Sequence, residues 1–286
     1  MKHPGQILRG ELMGDAVVES FLGIYDCFSA SIAAPYSGNL FLSGFGFAAS
    51  HYGLPDIGYI AWSDMVAAAW RIRQILPDHK LLVDIDDGYV DVHTARHVAK
   101  QLDRMGAAMV MLEDQARPRR CGHVDGKRLL PLPDYIEKLK AVLGDCHSLC
   151  VLARTDASGD EIYRRVEAIS ETDAHVLMVD GIDSIETLSR VRKYTDKPLL
   201  FNQIAGGKSP RLSIAQLKAL GVRLVQYSTP LLFAAQRGMI DALDSLVESG
   251  GLLPHYPDGS TVGVAECLTL LQANAMGSNC TVADNG

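Results

Sequence analysis

The sequence predicts an α/β fold in which eight parallel strands close into a barrel ringed by helices, a (β/α)8 architecture. Three observations predict it. Short apolar runs recur eight times along the chain. They lack the polar alternation of a half-exposed sheet, so they suit strands covered on both faces. Segments of helical period separate them, and a regular strand–helix alternation is the signal for a parallel barrel. A doubly wound open sheet is the alternative, and the count of eight favours closure.

The first two strands are expected in FLGIYDCF (Phe21 to Phe28) and NLFLSGFG (Asn39 to Gly46), the third in KLLVDIDDG (Lys80 to Gly88). The helical segment TARHVAKQLDRMG leads into the fourth, AMVMLEDQ (Ala108 to Gln115), and the fifth follows as LCVLARTDA (Leu149 to Ala157). DEIYRRVEAISETD precedes the sixth, HVLMVDG (His175 to Gly181). Ser184 caps SIETLSRVRKY before the seventh, PLLFNQIAG (Pro198 to Gly206). Ser213 caps SIAQLKALG before the eighth, RLVQYST (Arg223 to Thr229). After Gly250 the rhythm breaks, leaving one short helix around ECLTLLQANAM. Residues 1–250 are thus expected to form the barrel, and 251–286 a C-terminal helical extension making subunit contacts.

A chain of 286 residues with 48% hydrophobic content suits one large core. Its 27 basic against 34 acidic side chains give a net charge of −7, the wrong sign for nucleic acid, which needs a basic footprint. Small anions respond to local charge and stay admissible. No apolar run approaches the ~18 residues of a membrane-spanning helix, and the opening MKHPGQILRGELMGD lacks the apolar stretch of a signal peptide. The six cysteines, Cys27, Cys121, Cys146, Cys150, Cys267 and Cys280, show neither CxxC pairs nor zinc-ribbon spacing. They read as reduced thiols of a cytoplasmic protein.

In such barrels the active site lies at the carboxyl ends of the strands. Polar residues gather there: Asp84, Asp86 and Asp87 after the third strand, then Glu113 and Asp114 after the fourth. Arg154, Thr155 and Asp156 end the fifth strand, Asp180 the sixth, and Asn202 lies in the seventh. Clustered carboxylates are costly unless a cation neutralises them. Oxygen ligands without His or Cys suit Mg²⁺ or Mn²⁺ rather than zinc. Taken singly, each acid could equally cap the helix that follows.

DIDDGY (Asp84 to Tyr89), LEDQ (Leu112 to Gln115), RRCGH (Arg119 to His123) and ARTDA (Ala153 to Ala157) resemble the signature segments of the isocitrate lyase/phosphoenolpyruvate mutase superfamily. SGFG (Ser43 to Gly46) with GLPD (Gly53 to Asp56), and NQIAGGKSP (Asn202 to Pro210), fit the same family, in family order from about Tyr25 to Thr229. The nearest branch is that of methylisocitrate lyases and carboxyphosphonoenolpyruvate mutases. The resemblance implies Mg²⁺ (or Mn²⁺) on Asp86 directly, with Asp84, Glu113 and Asp180 helping through water. It implies a small carboxylate substrate gripped by Arg154 and by Ser43, Gly44 and Phe45, with Asn202 and position 41, here Phe41, near its far end. It implies that the loop bearing Arg119, Cys121 and His123 closes over the site. It further implies a homotetramer exchanging a C-terminal helix, here Leu231 to Ser249.

In the lyase branch the cysteine of this motif protonates the carbanion left by C2–C3 cleavage, which casts Cys121 as general acid. Arg117, Arg119, Arg120 and His123 are expected to lower its pKa. Four positions depart from the lyase pattern. Arg119 replaces Lys, Asp180 replaces Glu, Ala205 replaces the Glu of N-x-x-E-G, and Phe41 replaces Tyr. Losing polar partners at 205 and 41 should reject substrates that need them. The expectation is therefore a lyase for a less polar or differently shaped 2-hydroxy acid than methylisocitrate, releasing a 2-oxo acid. A phosphonomutase, an oxaloacetate-type hydrolase or decarboxylase, and a non-catalytic metabolite-binding barrel are the rivals. Gly44-x-Gly46-x-x-Ala49 mimics a dinucleotide fingerprint but lacks its opening βαβ context. His93 and His97, at helical i, i+4 spacing without the Glu of HExxH, read as surface residues.

Overall fold

In the computed structural model, which describes residues 2–14, 17–124, 126–253 and 262–276, eight parallel strands close in sequence order into a barrel. Helix α1 (Pro4–Leu12) precedes β1 (Glu19–Ile24), α2 (Cys27–Ala33), β2 (Asn39–Leu42) and the short α3 (Gly44–Phe47). Then come α4 (Trp62–Ile75), β3 (Lys80–Asp84), α5 (Val92–Arg104), β4 (Met109–Glu113), α6 (Leu132–Asp145), β5 (Cys150–Thr155) and α7 (Glu161–Ser170). The circle is completed by β6 (Val176–Val179), α8 (Ile185–Val191), β7 (Leu199–Gln203), α9 (Ile214–Ala219) and β8 (Val222–Tyr227). Beyond it lie α10 (Pro230–Glu248) and α11 (Val264–Met276).

Each predicted run contains most of one strand; Asp84, Glu113, Arg154, Thr155 and Asn202 fall within the strands near their carboxyl ends, and Asp86, Asp87, Asp114, Asp156 and Asp180 in the loops that follow. SGFG is the exception in kind. Ser43 accepts a hydrogen bond from the Gly46 N–H at 3.2 Å and so caps α3, ending β2 at Leu42. His93 and His97 are exposed on α5 as expected. Ser184 and Ser213 do cap α8 and α9, the latter in a reciprocal capping box with Gln216.

Two apolar layers hold the barrel. The outer one joins strand side chains such as Val83, Val110, Val151 and Val225 to the helices. The inner one fills the lumen with Phe21, Phe41, Leu82, Met109, Met111, Leu152, Met178, Leu200 and Leu224. Leu8 and Leu12 of α1 belong to this inner layer, so α1 plugs the amino-terminal end of the barrel. Gly5 of α1 lies so close to the rim that a Cβ there would stand 2.7 Å from the Ala108 carbonyl oxygen and 2.9 Å from the Cys150 nitrogen. With its floor closed, the barrel opens only toward the loops after the strands.

At the other extreme, α10 contains no buried residue, and its Met239, Leu243 and Val247 are exposed. The helix around ECLTLLQANAM is α11, where Asn274 donates to Ser31 Oγ of α2 at 2.8 Å. Much of the expected extension, residues 254–261 and 277–286 with Cys280 among them, lies outside the described residues. Among the described residues no helix is long and apolar enough to cross a membrane.

Candidate active site

Strand alternation decides which side chains enter the mouth of the barrel. Asp84, Arg154, Asn202 and Gln226 point inward from β3, β5, β7 and β8, and line a cavity of about 30 Å³ with Phe41, Ser43, Phe45, Asp56, Met111 and Asp180. The loop after β4 brings in Cys121, Gly122 and His123, while Ile204 and Ser228 complete the wall. Other acids at the strand ends hold the scaffold. Asp114 is fully buried and accepts from Thr155 Oγ1 at 2.5 Å, the Asp156 N–H at 2.9 Å and Arg165 at 2.9 Å. Asp87 receives both Nε and Nη2 of Arg117, at 2.9 and 2.8 Å.

Two buried guanidinium groups organise the carboxylates. Arg119 binds Glu113 through Nε at 2.7 Å, forks onto Asp56, and lies 3.2 Å from Asp86. Arg154 binds both oxygens of Asp156 at 2.9 Å, reaches Asp180 at 2.7 Å and lies 3.3 Å from Glu113. Asp86 adopts a left-handed backbone with φ of 52°, a turn that brings its carboxylate back beside Asp84. Both Asp86 carboxylate oxygens and Glu113 Oε2 have no hydrogen-bond partner among the described residues.

Charge is therefore unbalanced: Asp56, Asp84, Asp86, Glu113, Asp156 and Asp180 share Arg119, Arg154 and, at 3.4 Å from Asp156, Lys127. Burial, only partly offset by these two arginines, pushes Glu113 up to about 8, raises Asp84 and raises Asp86 well above the carboxylate range. Asp180 behaves oppositely. Burial works against its charge, but Arg154 outweighs that with help from His123 and Asn202, and its pKa is held far below normal. Of the four acids expected around the metal, Glu113 and Asp180 are bridged by Arg154, and among the described residues no group of three acids, thiols or imidazoles is placed to hold one ion.

Asp84 and Asp86 nonetheless form a cradle suited to a hard cation. A Cβ on Gly44 would lie 3.1 Å from Asp84 Oδ2 and 3.3 Å from Asp86 Oδ1, so the two carboxylates face a position free of side chain. Mg²⁺ needs no more than one or two protein carboxylates, keeping waters and substrate for the rest of its shell. The residues present fit such an ion.

The loop of residues 115–130 is drawn down over the mouth. Gln115 clasps both backbone polar groups of Arg120, at 2.7 and 2.8 Å. Lys127 donates to the Gly122 carbonyl oxygen at 2.5 Å. Gly122 itself is wedged so tightly that a Cβ would overlap the Asp180 carboxylate and stand 2.6 Å from Arg154 Nη2. His123 lies 3.1 Å from the Asn202 amide nitrogen and accepts the Lys208 N–H at 3.1 Å. Cys121 thus faces the cavity, but its pKa is pushed up to about 11, above all by burial and also by Asp180 and Asp56. This corrects the expected lowering. Arg117 and Arg119 are already paired with Asp87 and with Asp56 and Glu113, so neither favours the thiolate.

At the departure from N-x-x-E-G, Ile204 lines this cavity, and Ala205 lines an adjoining cleft together with Ile204, Gly206, Gly207 and Tyr227. Sequence reasoning overlooked Asp56, Gln226 and Ser228 as part of the site. The last two carried a signal, being polar at alternate positions of an otherwise apolar strand.

Comparison with known proteins gives a consistent result. The family pattern described as phosphoenolpyruvate phosphomutase matches residues 11–247. The 2-methylisocitrate lyase of Bacillus subtilis (strain 168) is 32% identical over 233 residues, 79% of this chain and 76% of its own. The crystal structure of 2,3-dimethylmalate lyase superposes with a TM-score of 0.89 at 27% identity, covering 100% of this chain and 98% of that one. Oxaloacetate acetylhydrolase, solved with the inhibitor 3,3-difluorooxalacetate, gives a TM-score of 0.88 at 28% identity, covering 96% and 95%.

Proposed function

The chain belongs to the phosphoenolpyruvate phosphomutase family, and from that premise we propose that it is a Mg²⁺-dependent lyase cleaving a carbon–carbon bond of a small 2-hydroxy carboxylate. The observation that carries this reading is that Cys121 and Asp84 line one cavity, with Asp86 beside Asp84 presenting carboxylate oxygens that have no hydrogen-bond partner among the described residues.

Asp84 and Asp86 would hold Mg²⁺ (or Mn²⁺), with Glu113 and Asp180 acting through water, and the ion would supply positive charge to the 2-oxo acid end of the ligand. Arg154, fixed by Asp156 and Asp180, presents its guanidinium to the same end, and the Ser43–Gly44–Phe45 turn abuts it. As the C2–C3 bond breaks, the C2 hydroxyl would pass its proton to Asp84, the carboxylate lining the cavity at that end, and C2 becomes the carbonyl carbon of the product. The electron pair on the departing carbon takes its proton from Cys121, and a pKa near 11 keeps that proton on sulfur until it is needed. Closure of the loop by Gln115, Gly122 and Lys127 keeps water from this carbanion.

Exposed apolar residues of α10 support a tetramer in which this helix is exchanged between neighbours, and the free thiols Cys27, Cys121, Cys146, Cys150 and Cys267 support a reducing, cytoplasmic setting. Hydrolysis of oxaloacetate is a second reading, supported by the likeness to oxaloacetate acetylhydrolase. A Mg²⁺-dependent assay of the protein and of Cys121→Ser decides between them. The panel would hold 2-hydroxy di- and tricarboxylates, oxaloacetate and phosphonopyruvate, with products identified by mass spectrometry. Release of a 2-oxo acid, reduced at least ~100-fold in the variant, is expected. Turnover of oxaloacetate or phosphonopyruvate alone would replace the lyase reading, and cleavage undiminished in Cys121→Ser would remove the thiol from it.

A further inference from the structure

One wall of the cavity ends in a hydrogen-bond acceptor that no described residue satisfies. Gln226 is 1% exposed, and its Oε1 has no partner among the described residues. The orientation of its amide follows from a relay that begins at Asp180. The Asp180 carboxylate can only accept, so the Asn202 nitrogen, 3.0 Å away, faces it as donor. Asn202 Oδ1 is then the acceptor for the Ser228 hydroxyl at 2.6 Å. With its proton so directed, Ser228 Oγ accepts from Gln226 Nε2 at 3.0 Å. What Gln226 has left to offer the cavity is its carbonyl oxygen. Turning the amide over would set two acceptors, or two donors, against each other somewhere along the chain of bonds.

Position matters as much as polarity. The strands run in order around a closed barrel, so β8 lies diametrically across from β4, and β7 from β3. A ligand whose 2-oxo acid end sits between Asp84 of β3 and Arg154 of β5, the strands flanking β4, directs its other end toward Asn202 and Gln226. On the proposed lyase reading, that end is the fragment released from C3.

We infer that Gln226 selects the far group of the substrate, accepting a hydrogen bond from a hydroxyl or amide N–H and disfavouring a carboxylate. The preferred substrate is then a 2-hydroxy acid with a single carboxylate at the reacting end and a neutral, donor-bearing group at the other. A far carboxylate would bring oxygen against oxygen inside a cavity that already holds an excess of negative charge, and Phe41 and Ile204, which line the same cavity, offer it no donor.

Calorimetric titration with Mg²⁺ present tests this on the whole protein with matched ligands: malate, its 4-amide, 2,4-dihydroxybutanoate, and oxalate as a ligand without a far group. The amide or the dihydroxy acid should bind at least ~10-fold tighter than malate. Gln226→Met should bring that ratio close to one and leave oxalate affinity within about threefold of its starting value. Gln226→Glu, still an acceptor, should keep the preference and weaken malate further. If Gln226→Met no longer binds oxalate its site is damaged, and the ratio in the unsubstituted protein together with Gln226→Glu decides. Malate binding as tightly as the amide, or a ratio unchanged in Gln226→Met, would overturn the inference. Cleavage is scored separately on the same ligands, so failure to cleave any of them would count against the lyase reading while the binding ratio still judges Gln226.

Discussion

Arg119→Met is the perturbation that best tests the electrostatic account of the site. Methionine keeps the stem of the side chain and removes the guanidinium that touches Asp56, Glu113 and Asp86. Glu113 retains Arg154 at 3.3 Å, but Asp56 and Asp86 lose the only cationic side chain within ion-pair reach among the described residues. Removing one partner of a buried ion pair costs about 3–5 kcal/mol. Two acids are stranded here, yet the cost should be incurred roughly once, because one of them can take up a proton instead of remaining charged. With an unfolding entropy of about 2.1 cal/mol/K per residue, a chain of 286 residues unfolds with roughly 0.6 kcal/mol/K, so the midpoint should fall by about 5–8 °C. Thermal unfolding in EDTA, followed by circular dichroism, measures it. Millimolar Mg²⁺ should then raise the variant's midpoint by more than that of the unsubstituted protein, because the ion becomes the main source of neutralisation. A midpoint in EDTA within about 2 °C of the original would refute the argument. It would mean that the acids around Arg119 carry no charge needing compensation.

Two further outcomes follow from the same geometry. Gly122→Ala should leave the chain folded but hold the loop open, since its Cβ would overlap Asp180; turnover should fall at least ~100-fold while proteolysis between residues 115 and 130 accelerates. His175 gives a pH dependence at the opposite end of the barrel. Burial first, then Arg9 and Lys197, lower its pKa to about 4, so the imidazole is neutral in the folded protein and charges more readily in the unfolded chain. Its contribution is therefore present above pH 6.5 and lost as pH falls toward 4. Because the ring is partly exposed, the effect should be about 1–2 kcal/mol, seen as a gap between the protein and His175→Gln in denaturant melts that narrows from pH 7 to 4.5.

Much of this was legible in the sequence, and the failures share a cause. The eight strands could be read because each is an apolar run closed by a polar residue, a local property. Asp84, Arg154, Asn202 and Cys121 were placed in one mouth because chain order in a barrel dictates where strand ends meet. The pKa of Cys121 was misjudged in sign because burial dominates it, and because acids from elsewhere in the chain occupy its neighbouring arginines. Asp87 and Asp56 come from separate loops, and no spacing rule pairs them with Arg117 and Arg119. Ile204 was not foreseen for a different reason: the loop after β7 departs from strand alternation, so period alone could not say which side chain turns inward. Helix α1 was overlooked although Pro4 at its first turn and Leu8 and Leu12 one turn apart announce it.

That helix has a practical consequence for anyone cutting or grafting this chain. The family pattern begins at residue 11, inside α1 and seven residues after Pro4. A fragment trimmed to the recognisable homology would begin just before Leu12 and leave Leu8 behind. The lumen would then lose its stopper, and water would reach Phe21, Met109 and Leu224 from below. The smallest piece expected to fold is set by where the floor is sealed, which here is upstream of where the resemblance starts.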